Sequence, residues 1–360
     1  MKMKGLAVQG ALAAGALALA YVSWQRPSDK GSAELVSVLD LSKGDLKSVR
    51  YADGAKSWTF ERRHKPVEAV WIQETVRTPK PTPPAPPTAS VLPDGGTAPL
   101  ASASPDAGVS TPAAPQVGEM TTTERWVKGS ERASEVYAQF TPLKATRALG
   151  VLPAEKLKEL GFETTSRRLE VDADGTKHAF TLARVPELGS AYLKNDKNGQ
   201  VYLLPSTLVT DLENASMRLV DRRLHAFKAG EFDALVVKAE GKERELVASA
   251  GPTPQSLKLA PKNAPDKPDE LAKNWHDKVW RLVVTEVLGE GETPPTGQPT
   301  VGLRVDYLQN GKTKGFLELG KGQGPDVFAR TENSAGWMRL HGGAEDLIKE
   351  APRVVSGSGS

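Results

Sequence analysis

The sequence predicts an α+β protein: an N-terminal transmembrane helix followed by two related units, each an antiparallel sheet with helices. Three observations carry this reading. One uncharged, largely apolar run occupies Gly5 to Trp24. Beyond it, short β-branched runs alternate with turn residues, the pattern of hairpins. The same succession of hairpins then occurs a second time.

At the N-terminus, Lys2 and Lys4 precede "GLAVQGALAAGALALAYVSW", and Gln25 and Arg26 follow it. As a helix, the run spans about 30 Å, the thickness of a bilayer core. Tyr21 and Trp24 fall where an interfacial aromatic belt belongs. Lys2, Lys4 and the terminal amine outweigh Arg26 and Lys30, which Asp29 offsets. The positive-inside bias therefore predicts a single-pass inner-membrane protein, with its N-terminus cytoplasmic and its bulk periplasmic. Ala18-Leu19-Ala20 also has the small-x-small pattern of signal-peptide cleavage. The run continues past that point through Val22 and Trp24, which favours a retained anchor within residues 1–30. Ala7, Ala11 and Gly15 recur every four residues and would share one helix face, a spacing by which membrane helices pack closely. Generic Ala richness of an export signal gives the same spacing.

With 360 residues the chain can bury two cores. Its 47 Lys and Arg against 44 Asp and Glu leave a net charge of +3, too balanced for a nucleic-acid partner. The pairs Arg62–Arg63, Arg167–Arg168 and Arg222–Arg223 lie apart, each with acidic neighbours, and read as solvated strand ends. There is no cysteine, which excludes a disulfide framework, a thiol nucleophile and a lipid-bearing cysteine.

The first unit is placed at 35–223. It opens with the hairpin "LKSVRYADGAKSWTFER" (46–62), two alternating runs around Asp53-Gly54. From 78 to 121, Pro, Ala, Thr, Ser and Gly dominate, so this stretch is expected to be a disordered insertion. "SERASEVYAQF" puts Ala133, Val136, Tyr137 and Phe140 on one helix face, with Ser130 as N-cap. "LPAEKLKELGF" is a short helix from Pro153 to Gly161. The hairpin "LEVDADGTKHAFTL" (169–182), the strand pair "AYLKNDKNGQVYLL" and the amphipathic "STLVTDLENA" complete the unit.

The second unit, 224–351, repeats this order. "FDALVVKAEGKERELVAS" (232–249) is its first hairpin, and "PDELAKNWHDKVW" its helix, with Leu271, Trp275 and Val279 on one face and Pro268 suited to the start. "LRVDYLQNGKTKGFLEL" (303–319) matches the second hairpin: Leu169, Val171 and Asp172 correspond to Leu303, Val305 and Asp306, Gly175 to Gly311, and Phe180 to Phe316. "VFARTENSAGWMRL" and "GAEDLIKEA" follow. The first hairpins lie further apart than the second, and the insertion accounts for most of that difference. Residues 352–360 are a tail, and "SGSGS" reads as an appended linker.

Candidate chemistry is sparse. Asp172, Asp174 and Gly175 could open a calcium loop, but "GTKHAFTL" supplies no further acid and the matching Asn310-Gly311 turn lacks the second one; a turn is expected. His64, His178, His225, His276 and His341 show no metal-ligand spacing. His276 and Asp277 are adjacent and so point to different helix faces. "GKGQGPD" (320–326) lacks the Lys-Ser/Thr of a phosphate loop, and no Gly-x-Ser-x-Gly elbow occurs before the tail. Trp58, Trp71 and Trp337 sit in alternating strands and read as core or sheet-face residues. No catalytic, cofactor-binding or metal residues are expected, and no cofactor.

The hairpin "DLKSVRYADGAKSWTFERR", the unit "LGFETTSRRLEVDADGTKHAFTL", the strand pair "AYLKNDKNGQVYLLPSTL" and the connector "LENASMRLVDRRLHAF" together resemble the bacterial domain-of-unknown-function 4340 family, in two tandem copies. The resemblance brings no catalytic residues. It implies a membrane-anchored envelope protein encoded near gliding-motility-type ABC transporter auxiliary subunits, from which the long Pro/Ala insertion departs. The expected function is a non-enzymatic, periplasmic accessory or scaffold subunit of an ABC-transporter-type envelope or motility assembly. Its expected partners are the membrane, integral transporter subunits and other envelope proteins. The alternatives are a periplasmic enzyme acting on polysaccharide or peptidoglycan, and a free periplasmic binding module.

Overall fold

Residues 35–64, 68–79, 120–184, 190–249 and 257–357 are described by the computed structural model. Nine strands of the first unit form one antiparallel sheet. In spatial order they are β5 (Met120–Lys128), β4 (Ala69–Pro79), β3 (Lys56–Arg63), β2 (Leu46–Asp53), β8 (Arg168–Ala173), β9 (Thr176–Arg184), β10 (Ala191–Asn195), β11 (Gln200–Leu204) and β7 (Arg147–Val151). The second sheet runs β14 (Lys258–Pro261), β13 (Lys242–Ser249), β12 (Ala234–Ala239), β16 (Thr300–Gln309), β17 (Lys312–Lys321), β18 (Val327–Thr331), β19 (Met338–Leu340) and β15 (Val284–Val287). From β4 to β7 and from β14 to β15 the two orders match strand for strand. Only β5 has no counterpart. A small ribbon pairs β1 (Val36–Leu39) with β6 (Leu143–Ala145).

The helices are α1 (Glu131–Ala138), α2 (Ala154–Glu159), α3 (Ser206–Glu213), α4 (Ala215–Arg218), α5 (Glu270–Trp280) and α6 (Ala344–Ser356). Ser130 caps α1 by accepting from the Ala133 amide, and Asp269 caps α5 by accepting from Ala272. The Trp275 indole donates to the Leu347 carbonyl at 3.0 Å and ties α5 to α6. Buried residues of both units, from Tyr51, Phe60 and Leu169 to Trp275, Leu303 and Tyr307, form one continuous apolar core.

Three expectations are corrected here. The α+β class gives way to a predominantly antiparallel β protein. Helical periodicity is present in the sequence, but it covers only 4 to 13 residues at a time, whereas far more of the described residues lie in strands than in helices. Among the described residues no helix is long and apolar enough to cross a membrane. The longest, α6, has 13 residues, about 20 Å, and carries Glu345, Asp346 and Lys349. The transmembrane helix and the single-pass inner-membrane placement are therefore not carried forward. The run on which they rested, with Ala7, Ala11 and Gly15, lies outside the described residues. Lastly, the ends of the 78–121 stretch are strand: Thr78 pairs with Thr121 and Pro79 with Met120, while 80–119 lies outside the described residues.

The pairing of Pro79 with Met120 brings the ends of that stretch to neighbouring-strand distance. Replacing 80–119 by Asn-Gly should close the β4–β5 hairpin directly and leave the melting temperature unchanged or raised, because shortening a loop lowers its closure entropy. Thermal unfolding followed by circular dichroism checks this, and a fall of several degrees would contradict it.

The hairpin tips follow local rules. Asp174 and Gly175 have φ of 48° and 76°, and Asn310 and Gly311 have 52° and 72°, the doubly left-handed pattern that matches strand twist. A Cβ on Gly175 or Gly311 would meet nothing within 4 Å, so a substitution acts through backbone strain alone. Gly175→Val or Gly311→Val should lower unfolding free energy in urea by about 1–3 kcal/mol, whereas Gly→Asn should lower it much less.

Candidate functional site: the junction between the two units

The connector from the first unit to the second begins as a strand-like neighbour of β5. The Asp221 amide donates to the Lys128 carbonyl at 2.9 Å, and the Ser130 amide to the Leu219 carbonyl at 2.7 Å. The Asp221 side chain is only 2% exposed. Its carboxylate accepts from Arg223 Nε at 3.1 Å and Nη2 at 3.0 Å, and from the Arg223 amide at 3.0 Å. Lys128 Nζ lies 3.6 Å away. Burial alone would raise this carboxyl, but the Arg223 hydrogen bonds and the Lys128 charge prevail and hold it below the usual carboxylate range.

Asn333, in the turn after β18, closes the seam from the second unit. Its side-chain amide donates to the Arg223 carbonyl at 2.8 Å and to Asp221 at 3.3 Å, and its oxygen accepts from Lys128 Nζ. The neighbouring Glu332 accepts from the Ala226 amide at 3.2 Å and the Phe316 amide at 3.0 Å, and pairs with His225 Nδ1 at 3.2 Å. The connector is thus fixed to both units by buried polar contacts that apolar packing alone would not orient.

Beside the seam, both units line a groove of about 200 Å³. Trp58, Ile72 and Val127 from the first sheet and Val287 from β15 form an apolar floor, all of them buried. The Trp58 indole N–H is buried without a hydrogen-bond partner. On the rim, Arg125 Nε donates to Glu74 at 2.6 Å and its guanidinium lies 4.0 Å from Glu286, which in turn binds Arg339. Met217, at the helical wall, is 73% exposed. Gly289 permits the close approach of the two units here: a Cβ on it would stand 2.8 Å from Arg125 Cβ. Glu74, Arg125, Glu286 and Arg339 pair with one another on the rim, whereas Arg222 donates only to the Ser216 and Met217 carbonyls, and the space is no larger than one side chain.

Under the connector the buried His225, Phe227, Phe232, His276 and Tyr307 cluster with the half-buried Trp280. Trp280 stacks on His225 at 4.8 Å, and Tyr307 meets it edge-on at 4.9 Å. His276 is wholly buried, and neither ring nitrogen has a partner. Burial pushes its pKa down to about 4. The Tyr307 hydroxyl, also unpartnered, is pushed up by burial. Aromatic rings pack against His225 on several sides, so its contact with Glu332 anchors the connector rather than facing a substrate.

The residues singled out in the sequence are distributed as follows. Asp277 pairs with Lys273 at 3.1 Å and makes no contact with the His276 ring nitrogens. Asp174 and Gly175 form the hairpin turn, and among the described residues no group of three or more His, Asp or Glu side chains is placed to hold a metal. Gly320 lies within β17, and Gly322 and Gly324 lie in its connection to β18, where the Gly322 amide donates to the Asp326 carbonyl at 3.3 Å. His64 is exposed beside Glu68. The arginine pairs are not merely solvated strand ends. Arg63 stacks 3.6 Å over Trp126, Arg167 binds Asp53 and Glu213, and Arg222 donates to the Ser216 and Met217 carbonyls. Sequence reasoning missed the groove because its lining comes from five separate stretches, and it missed the seam because Lys128 and Asn333 lie 205 residues apart.

No family model matches the chain, and no curated protein or solved structure matches it either.

Proposed function

We propose that the chain is a non-enzymatic accessory or scaffold subunit that holds a protein partner at the junction of its two units. The observation that carries this reading is the seam, in which the buried Asp221 and Asn333, with Lys128 and the half-exposed Arg223, join both units through polar contacts. Such contacts are costly to bury and contribute geometry more than net stability. Here they fix two β units in one orientation, so that a groove built by both has a constant shape. The resemblance of the strand pairs to the domain-of-unknown-function 4340 family supports placing the partner in an ABC-transporter-type assembly.

Affinity isolation from source cells after mild crosslinking tests this reading. The wild type should carry one protein in stoichiometric amount. Asn333→Leu, with both sheets still folded by circular dichroism, should carry much less. A wild type that carries no stoichiometric protein, or a variant that retains it fully, would contradict the proposal.

A further inference from the structure

We infer that the groove between the two units binds a small monocarboxylate with a short apolar body, held by the Arg222 guanidinium and the Trp58 indole N–H. This inference goes beyond the partner-holding reading and does not depend on it.

Glu74, Arg125, Arg222 and Glu286 are the charged side chains lining the groove. Arg125 donates to Glu74 at 2.6 Å and lies 4.0 Å from Glu286, which also binds Arg339. Glu74, Arg125, Glu286 and Arg339 thus form a chain of alternating sign without net charge. Asp326, 3.9 Å beyond Arg339, lies outside the lining.

Arg222 has no place in that chain. Its Nη1 donates to the Met217 carbonyl at 2.7 Å and its Nη2 to the Ser216 carbonyl at 3.0 Å. Among the described residues it forms no ion pair with a carboxylate. The two carbonyls hold the guanidinium in place without neutralising it, and it carries more N–H donors than these two bonds use. A fixed guanidinium without a counter-charge is the usual receptor for a carboxylate.

Trp58 is the second, independent pointer. Trp58 pairs across the sheet with Glu74, and Glu74 with Arg125, so the three side chains share one face. Glu74 is engaged by Arg125, and the neighbouring indole N–H has no partner although Trp58 is only 6% exposed. An unpaired buried donor is costly, and an oxygen acceptor entering the groove relieves that cost. An acceptor that also answers Arg222 is an anion.

The remaining lining sets the body of the ligand. Ile72, Val127, Met217, Val220 and Val287 are apolar, and the space of about 200 Å³ is no larger than one side chain. A second acidic group would face Glu74 and Glu286, which disfavours a dicarboxylate. Val287 comes from β15 of the second unit and Ile72 and Val127 from the first, so the ligand touches both.

Nuclear magnetic resonance of the full chain, with isotope-labelled tryptophan and titrated with isovalerate, tests the inference. The Trp58 indole signal, assigned from Trp58→Phe, should shift and saturate. Isovaleramide has the same shape without the charge and should bind about tenfold or more weakly, as expected for loss of a charge-assisted hydrogen bond. Arg222→Gln should weaken isovalerate by a similar factor and leave isovaleramide binding unchanged, a split that general disruption of the fold does not produce. Thr285→Trp fills the groove from its exposed rim. It should abolish binding of both probes, and it keeps the test decisive if Arg222→Gln misfolds. A tripeptide ending in valine separates two sources of the same chemistry. If it binds more tightly than isovalerate, and loses that binding on amidation, the carboxylate belongs to a chain end; weaker binding assigns it to a free acid. No saturable shift of the Trp58 signal, equal binding of acid and amide, or inorganic phosphate binding as tightly as isovalerate would overturn the inference. If isovalerate fails to bind while the cellular partner is carried by the wild type and lost by Asn333→Leu, the carboxylate site is wrong and the scaffold reading stands.

Discussion

Asp221→Ala is expected to lower the free energy of unfolding by about 3–5 kcal/mol, the range for breaking one side of a buried ion pair. The carboxylate is almost fully buried and is the common acceptor for Arg223, Asn333 and the nearby Lys128 ammonium. Without it Lys128, itself only 13% exposed, keeps Asn333 as a partner but has no counter-charge in the seam. Asp221→Asn, which retains shape and some hydrogen bonding, should lose less. Urea denaturation of the three proteins checks the order, and a loss under about 1 kcal/mol for Asp221→Ala would show that the seam contributes little.

Acid should destabilise the protein through His276. Its folded-state pKa of about 4 lies below the ordinary 6.5, so the unfolded state takes up the proton first as pH falls. The neutral, buried ring contributes its full share of stability above pH 6.5, and that share is lost progressively as pH falls toward 4. Integrated over the shift, the loss is about 3 kcal/mol. Nearby Asp277 opposes the shift and His225 reinforces it, but burial is the largest cause. His276→Phe keeps an aromatic ring without a titrating group, and should flatten the dependence of unfolding free energy on pH between 4 and 6.5. An unchanged slope in that variant would assign acid sensitivity to other groups.

The hairpins were legible because their signal is local. Gly175 and Gly311 each follow a residue that tolerates left-handed backbone, and the flanking runs alternate, so turn and register follow from neighbouring residues. The α1 face was legible for the same reason: Ala133, Val136 and Tyr137 have helical spacing and are buried together. Fold class was misjudged because visible helical periodicity says little about how much chain the helices occupy. The start of β5, Met120 and Thr121, reads as part of the Pro/Ala-rich stretch, although Thr121 to Thr123 favour strand and pair with β4. The groove and seam were not legible at all. Asp221 gives no local sign that it will meet Asn333, since that meeting depends on how two finished units dock. Arg167 reads as a surface charge for the same reason, since Asp53 and Glu213 come from distant elements; Arg223 has Asp221 two residues away, and only its second partner, Glu131, is distant.

The fixed orientation of the two units can be measured directly, because a chain without cysteine accepts a clean pair of spin labels. Lys177→Cys and Lys312→Cys place one label on the equivalent exposed hairpin of each unit. Pulsed dipolar spectroscopy should return a single narrow distance distribution for this pair. Adding Asn333→Leu should broaden it while both sheets remain folded. A broad or multimodal distribution without any seam substitution would show that the units move independently and would contradict a rigid two-unit scaffold.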